Sequence, residues 1–180
     1  MAQRIRGRLL AGLFVVALMR APARAQVQEN ALSNKEVETL RDTAYYPPQR
    51  VEAFIDFLNV RTAEIDKLSA GRRLPGREQD IHDEMEQFAS IASDLEDNLE
   101  EYGKTHKDIR KALPKVLSAA ERWGTALKTP PENAEYSVAR KLALEALDDI
   151  RETAKELIEE QKAWFLAHPP AKAAGKGSGG

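Results

Sequence analysis

The chain contains no cysteine. That excludes disulfide bonds, covalent haem attachment through Cys-x-x-Cys-His, and thiol catalysis. It also contains no alternating apolar and polar run of the kind that marks a half-buried strand. After residue 19 there is no apolar stretch of about twenty residues, so no later segment is expected to span a membrane. Histidine is scarce: His82, His106 and His168 are the whole set. With so few, chemistry that needs several imidazoles has little to draw on.

The one apolar run lies at the start. Arg4, Arg6 and Arg8 precede residues 9–19, and Ala23-Arg24-Ala25 follows as a small-x-small site. This is the pattern of a cleaved signal peptide over residues 1–25, with a mature start at Gln26. No adjacent arginine pair occurs in it, so the twin-arginine route is not indicated. The protein is expected to be secreted or periplasmic. The formal charge of the chain is −2. Five arginines and no acid fall within 1–25, so the remainder carries −7. Nucleic acid and anionic membranes both select basic surfaces, so neither is an expected partner.

What is present is helix. Ser33-Asn34-Lys35-Glu36 reads as a capping box, with Leu32 and Val37 at the staple positions. That first helix runs to Pro47-Pro48, which also suit the first turn of a second helix over about Gln49–Leu68. Val51, Phe54, Leu58, Ile65 and Leu68 form its stripe, interrupted by Arg61. Residues 69–76 read as a loop. The third helix, Arg77–Tyr102, has Ile81, Met85, Phe88, Ala92, Leu95, Leu99 and Tyr102 at unbroken steps of three and four, with Gly103 as its stop. Thr105 is placed as cap of a fourth helix carrying Ile109, Leu113, Val116, Ala120, Trp123 and Leu127, kinked at Pro114. Thr129-Pro130-Pro131-Glu132 reads as the start of a fifth helix that runs to about His168. Its stripe is Ala143, Leu147, Ile150, Ala154, Leu157, Gln161 and Trp164. Residues 169–180 are Pro, Ala, Lys, Gly and Ser, and are expected to be disordered.

The expected architecture is all-α: an antiparallel up-down four-helix bundle over residues 26–168, with an additional short N-terminal helix and a long C-terminal helix. At ~1.5 Å per residue the last helix should overshoot the fourth by nearly 20 Å. The short first helix is expected to cover that excess, packing on the last third of the long one. Heptad-like stripes suit association between chains as well as within one, so a homo-oligomer fits the pattern.

Several residues are candidates for chemistry. Glu78, His82 and Glu86 are spaced by four on one helix face, a spacing that suits a transition metal. Di-iron carboxylate bundles use Glu-x-x-His twice. Here position 79 is Gln79 and no second such motif exists, so no metal or other cofactor is expected, and His82 is read as facing water. Met85, His106 and His168 are the available axial haem ligands. The overshoot separates the two histidines by about 20 Å, so they do not share an iron. Ser69, Ser90, Ser93, Ser118 and Ser137 have no histidine in patterned reach, and no catalytic residue or enzymatic activity is assigned.

Arg61 is a candidate buried polar group, snorkelling, ion-paired or held for a ligand. Gln161 interrupts the last stripe in the same way and is a candidate register-setting residue. Glu145, Asp149, Glu152, Glu156 and Glu159 line the outer face of the long helix, where like charges oppose one another. Such a face ordinarily gives solubility. Its functional reading is a docking surface for a basic partner, with Trp164 and Phe165 as a second contact. The expected function is therefore a non-enzymatic, exported protein-binding bundle with an unidentified envelope protein as partner. The alternative is a small-ligand or metal-binding bundle around Met85, His82 and Arg61.

Overall fold

The computed structural model describes residues 31–169. The signal-peptide assignment and all but the first residue of the expected disordered tail lie outside the described residues. Within them the protein is all helical and forms a helical bundle. Five helices follow one another: α1 (Asn34–Asp42), α2 (Pro47–Ala70), α3 (Arg77–Lys104), α4 (Leu113–Lys128) and α5 (Ser137–Ala167).

Local chemistry explains most of the boundaries. The Ser33 side chain accepts from the Glu36 N–H, and the Glu36 carboxylate accepts from the Ser33 N–H at 2.7 Å, completing the capping box. Pro47 and Pro48 open α2, where a missing N–H costs nothing. Every residue of the expected α3 stripe is buried. The core also takes Leu113, Val116, Ala120, Trp123 and Leu127 of α4, with Ala143, Leu147, Ile150 and Ala154 of α5.

Chain direction alternates up, down, up, down from α2 to α5, yet sequence neighbours are not all spatial neighbours. Cross-helix contacts fix the arrangement. Arg50 donates to Asn98, so α2 and α3 run antiparallel side by side. Lys115 meets Glu52, and Trp123 Nε1 donates to Asn59 at 2.9 Å, so α4 lies parallel to α2. Gly103 faces Leu157 and His82 meets Glu135, so α5 lies parallel to α3. Arg151 donates to the Ala120 carbonyl, so α5 runs antiparallel to α4. Around the bundle the order is α2, α3, α5, α4, and the consecutive helices α3 and α4 are diagonal. Phe88 and Trp123 meet edge to face across that diagonal, their centroids 5.9 Å apart.

A chain that must cross the end of a bundle needs a longer connection, and residues 105–112 supply it. The sequence reading placed a helix here, capped by Thr105 and kinked by Pro114. Instead α4 begins at Leu113 and Pro114 sits in its first turn, where its ring clashes with no preceding carbonyl. Asp108 caps nothing in α4; it accepts from the Arg110 N–H and pairs with that guanidinium at 2.7 Å. Ile109 is fully buried and plugs the bundle end.

Gly103 does not stop α3. It is helical and buried, because a Cβ there would stand 2.5 Å from Leu157 Cδ2. The stop comes three residues later at His106, whose φ is 51°. The Lys107 N–H reaches the Tyr102 carbonyl and the His106 N–H reaches that of Gly103. This is a Schellman closure with histidine at the left-handed position that glycine usually fills.

The start of α5 also differs from expectation. Thr129 is no N-cap: its hydroxyl donates back to Thr125, and α5 begins only at Ser137. Residues 130–136 form a loop held by buried Arg140, which donates to the Pro130 and Pro131 carbonyls at 2.6 and 3.0 Å. Finally, α1 packs on α2, not on the last third of α5. The crossing segment has taken that place: Gln161 binds it, and His106 and Arg110 lie against Trp164 and Phe165.

Candidate interaction site

Each candidate from the sequence acquires a definite position. His82 does not face open water. It is half buried, and its Nδ1 lies 3.0 Å from the Glu135 carbonyl in the loop before α5. A carbonyl only accepts, so Nδ1 carries the hydrogen. Nε2 lies 3.2 Å from Glu86. Glu78 is taken by Arg73 and Arg77. The three side chains therefore hold a loop and two arginines. Among the described residues no three histidine, aspartate or glutamate side chains are grouped to hold a metal ion.

Arg61 is buried and ion-paired. Its Nη1 and Nη2 each lie 2.9 Å from a Glu36 oxygen, and Nη2 also donates to the Ala31 carbonyl at 2.7 Å. A planar guanidinium suits this two-pronged contact with a carboxylate. Arg61 thereby ties α1 to α2, with a second tie from Arg50 to the Leu40 carbonyl. Burial pushes the Glu36 carboxyl up, but the bonds from Arg61 and Ser33 outweigh it and leave the group below its ordinary value. Nearby Glu84 moves the other way. Burial raises it, Arg61 only partly offsets this, and Glu64, Asp83 and Asp80 add to the rise. Gln161 is buried and accepts from the Ile109 N–H at 3.2 Å while donating to the Lys107 carbonyl at 2.9 Å. It pins the crossing segment; it does not set register against a facing stripe.

Of the axial-ligand candidates, Met85 is core packing with no exposed surface. The 20 Å separation of His106 and His168 is wrong. Both imidazoles stack on the Trp164 indole, with centroids at 4.3 and 4.4 Å. The error came from treating 105–112 as helix, which sent His106 away from the end of α5. Ser69 donates to the Ile65 carbonyl one helical turn back, and Ser137, the first residue of α5, donates to the Ala134 carbonyl of the preceding loop.

The acidic face is larger than one helix. Glu145, Asp149, Glu152, Glu156 and Glu159 are all exposed on α5. Beside α5, in parallel, lies α3, which carries ten acids against two bases. The two helices thus form one acidic flank. Glu96 of α3 records the join: burial raises its carboxyl, and the charges of Asp149, Glu100 and Asp97 raise it further. Counting charge on α3 alone was possible from the sequence, but its pairing with α5 was not. On the opposite side, α2 and α4 border an open groove of about 370 Å³ lined by Ile55, Pro114, Lys115, Ser118 and Arg122.

The remaining unusual surface is the pole where α5 ends. Trp164 and Phe165 meet edge to face at 4.8 Å, Arg110 lies 4.2 Å over Phe165, and Leu166 is 84% exposed. No family model matches the chain, and no curated protein or solved structure is significantly similar to it.

Proposed function

We propose that the protein is an exported, non-enzymatic binding module of the cell envelope, which takes a basic segment of a partner protein on the flank formed by α3 and α5. One observation carries this reading: α3, with ten acids against two bases, lies parallel beside α5, and the charge of Asp149 on α5 helps raise the Glu96 carboxyl of α3. Of the five acids on the outer face of α5, only Glu145 has an ion-pair partner among the described residues, Lys141 at 3.6 Å. Uncompensated like charges at helical spacing weaken a helix by about 0.2–0.5 kcal/mol per pair. A surface of this kind steers and orients a cationic partner at long range. Export rests on the leader-like residues 1–25, and the partner is accordingly sought in the periplasm or outside the cell.

The reading is tested by partner capture from the native compartment, comparing the wild type with the Glu152→Lys, Glu156→Lys double variant. Both positions are exposed, so the fold is expected to survive. Capture should be lost in the variant and should weaken as salt rises. Undiminished capture by the variant would remove the acidic flank from the account. A stoichiometric metal or a chromophore in the purified protein would favour the ligand-binding alternative in its place.

A further inference from the structure

We propose that the loop between α2 and α3 is a processing site, where an arginine-directed endopeptidase hydrolyses the Arg73–Leu74 bond and leaves a two-chain bundle. This goes beyond the acidic flank and does not rest on it.

Backbone geometry is the first argument. An endopeptidase draws several residues of its substrate into a cleft as an extended strand, whose main-chain groups pair with the enzyme. The loop offers such a strand. Residues 70–76 are all exposed, the longest exposed run among the described residues. Gly71 is extended, with φ −73° and ψ 169°. Among the described residues neither the N–H nor the carbonyl of Arg72 or Arg73 has a hydrogen-bond partner. Exposed loop tips of this kind are where chains are nicked.

Side-chain chemistry selects the bond. A carboxylate at the base of a specificity pocket selects a basic residue just before the bond to be cut. Between Asp66 and Glu78 the chain holds Lys67, Arg72, Arg73 and Arg77 and no acid. The Arg73 side chain is 72% exposed, and its ion pair with Glu78 is long at 3.7 Å. An exposed pair is worth little and yields to a buried carboxylate in the enzyme. A cut after Arg73 places Arg72 and extended Gly71 upstream of the bond. A cut after Arg72 puts Ala70, the last residue of α2, in the third upstream position.

Other cations are poorly placed. Outside helices the described residues hold three more, Lys107, Arg110 and Lys111, all on the crossing. There the Lys107 carbonyl accepts from Gln161, and its N–H donates to Tyr102. Buried Ile109 and Ala112 bracket Arg110 and Lys111. Cations within helices have their main-chain groups committed to the helix.

The fold tolerates the cut. Water supplies a hydroxyl to the Arg73 carbonyl carbon and a hydrogen to the Leu74 nitrogen, and the bond between them breaks. The two backbone bonds of the loop, Gly71 N–H to Lys67 and Arg77 N–H to Leu74, each lie wholly on one side of it. Leu74 is 62% exposed, so no core packing is lost. Val51, Leu58 and Ile65 keep α2 seated, with the Arg50–Asn98 and Trp123–Asn59 bonds. The products are a chain carrying α1 and α2 and a chain carrying α3 to α5, whose pairing now depends on concentration.

The full chain is treated with a trace of trypsin, and fragment masses and N-termini are followed with time. The first cut within residues 31–169 should fall at Arg73–Leu74. The two fragments should co-elute in native buffer and separate in urea. Arg72→Gln with Arg73→Gln, at exposed positions, should remove this cut and leave the helical circular dichroism unchanged. Lys107→Gln with Lys111→Gln should leave its rate unchanged. Protein recovered from its native compartment should include a chain beginning at Leu74, and the Arg72, Arg73 double variant should lack it. A first cut elsewhere in residues 31–169 would overturn the inference. So would fragments that part in native buffer, since cleavage would then dismantle the bundle. So would native material with no chain starting at Leu74. None of these readings involves partner capture, so failure here is separable from failure of the acidic flank.

Discussion

Arg61 and Gln161 are two interruptions of apolar stripes, and they do the same job by different chemistry. Each is buried, each reaches past its own helix, and each holds a segment that the helical repeat does not account for. Arg61 holds α1 through a carboxylate and a carbonyl. Gln161 holds the 105–112 crossing through one N–H and one carbonyl. The difference lies in what each joint needs. A buried guanidinium requires an anion, so the α1 joint is charged and titrates. A carboxamide carries its own donor and acceptor, so the crossing joint is neutral and complete in itself. A polar residue within an apolar stripe can thus mark where an irregular segment is stitched to the bundle.

Removing the charge should have the largest effect. Arg61→Met leaves Glu36 without its partner and the Ala31 carbonyl without a donor. Breaking a buried pair from one side costs about 3–5 kcal/mol. The expected loss is about 3 kcal/mol, at the low end, because Glu36 sits on a short helix that can swing into water. Urea unfolding reads the loss, and amide exchange should place it in α1 first. Retained protection of α1 in this variant would mean that Arg50 and apolar packing hold it instead. Gln161→Leu should cost less, about 1–3 kcal/mol, by leaving a buried N–H and carbonyl unsatisfied. Its signature is faster exchange at the Ile109 amide while α1 stays protected. If exchange at Ile109 does not change, the crossing is held by the burial of Ile109 itself.

The comparison also shows where the sequence is legible. Stripe positions follow from a period of 3.6, so the buried faces of α2, α3 and α5 could be read directly, and Arg61 and Gln161 stood out against them. Their partners could not be read. Periodicity says which face is buried but not which helix lies opposite. The diagonal placement of α3 and α4 was therefore hidden, and with it the parallel pairing that joins the acids of α3 to those of α5. Pro114 and Gly103 were misread for a related reason. A proline is equally at home at a first turn, and a glycine serves close packing as well as termination; only the neighbour, here Leu157, decides. The His106–Trp164 stack escaped because a left-handed residue is expected to be glycine, and the sequence offers histidine.

Acid should separate the two joints with the smallest change of all. Two carboxyls face Arg61, and folding moves them oppositely. Folding raises Glu84, so its contribution is complete below the ordinary carboxylate range and is lost as pH rises through the raised value. Folding lowers Glu36, so its contribution is complete above that range and is lost as pH falls through the lowered value. Descending from neutral pH, Glu84 therefore takes its proton first and relieves the crowd of Glu64, Asp83 and Asp80 around it. Only below the ordinary range does Glu36 protonate and release α1. The Ile109–Gln161 bond contains no titrating group; the crossing's own carboxyl, Asp108, also lies below its ordinary value through its bonds from Arg110, and its protonation releases Arg110 and not the Ile109 amide. Amide exchange followed down the acid limb should show α1 opening while Ile109 remains protected. If both joints open together at one pH, the charged joint has no separate existence, and α1 and the crossing belong to a single cooperative unit.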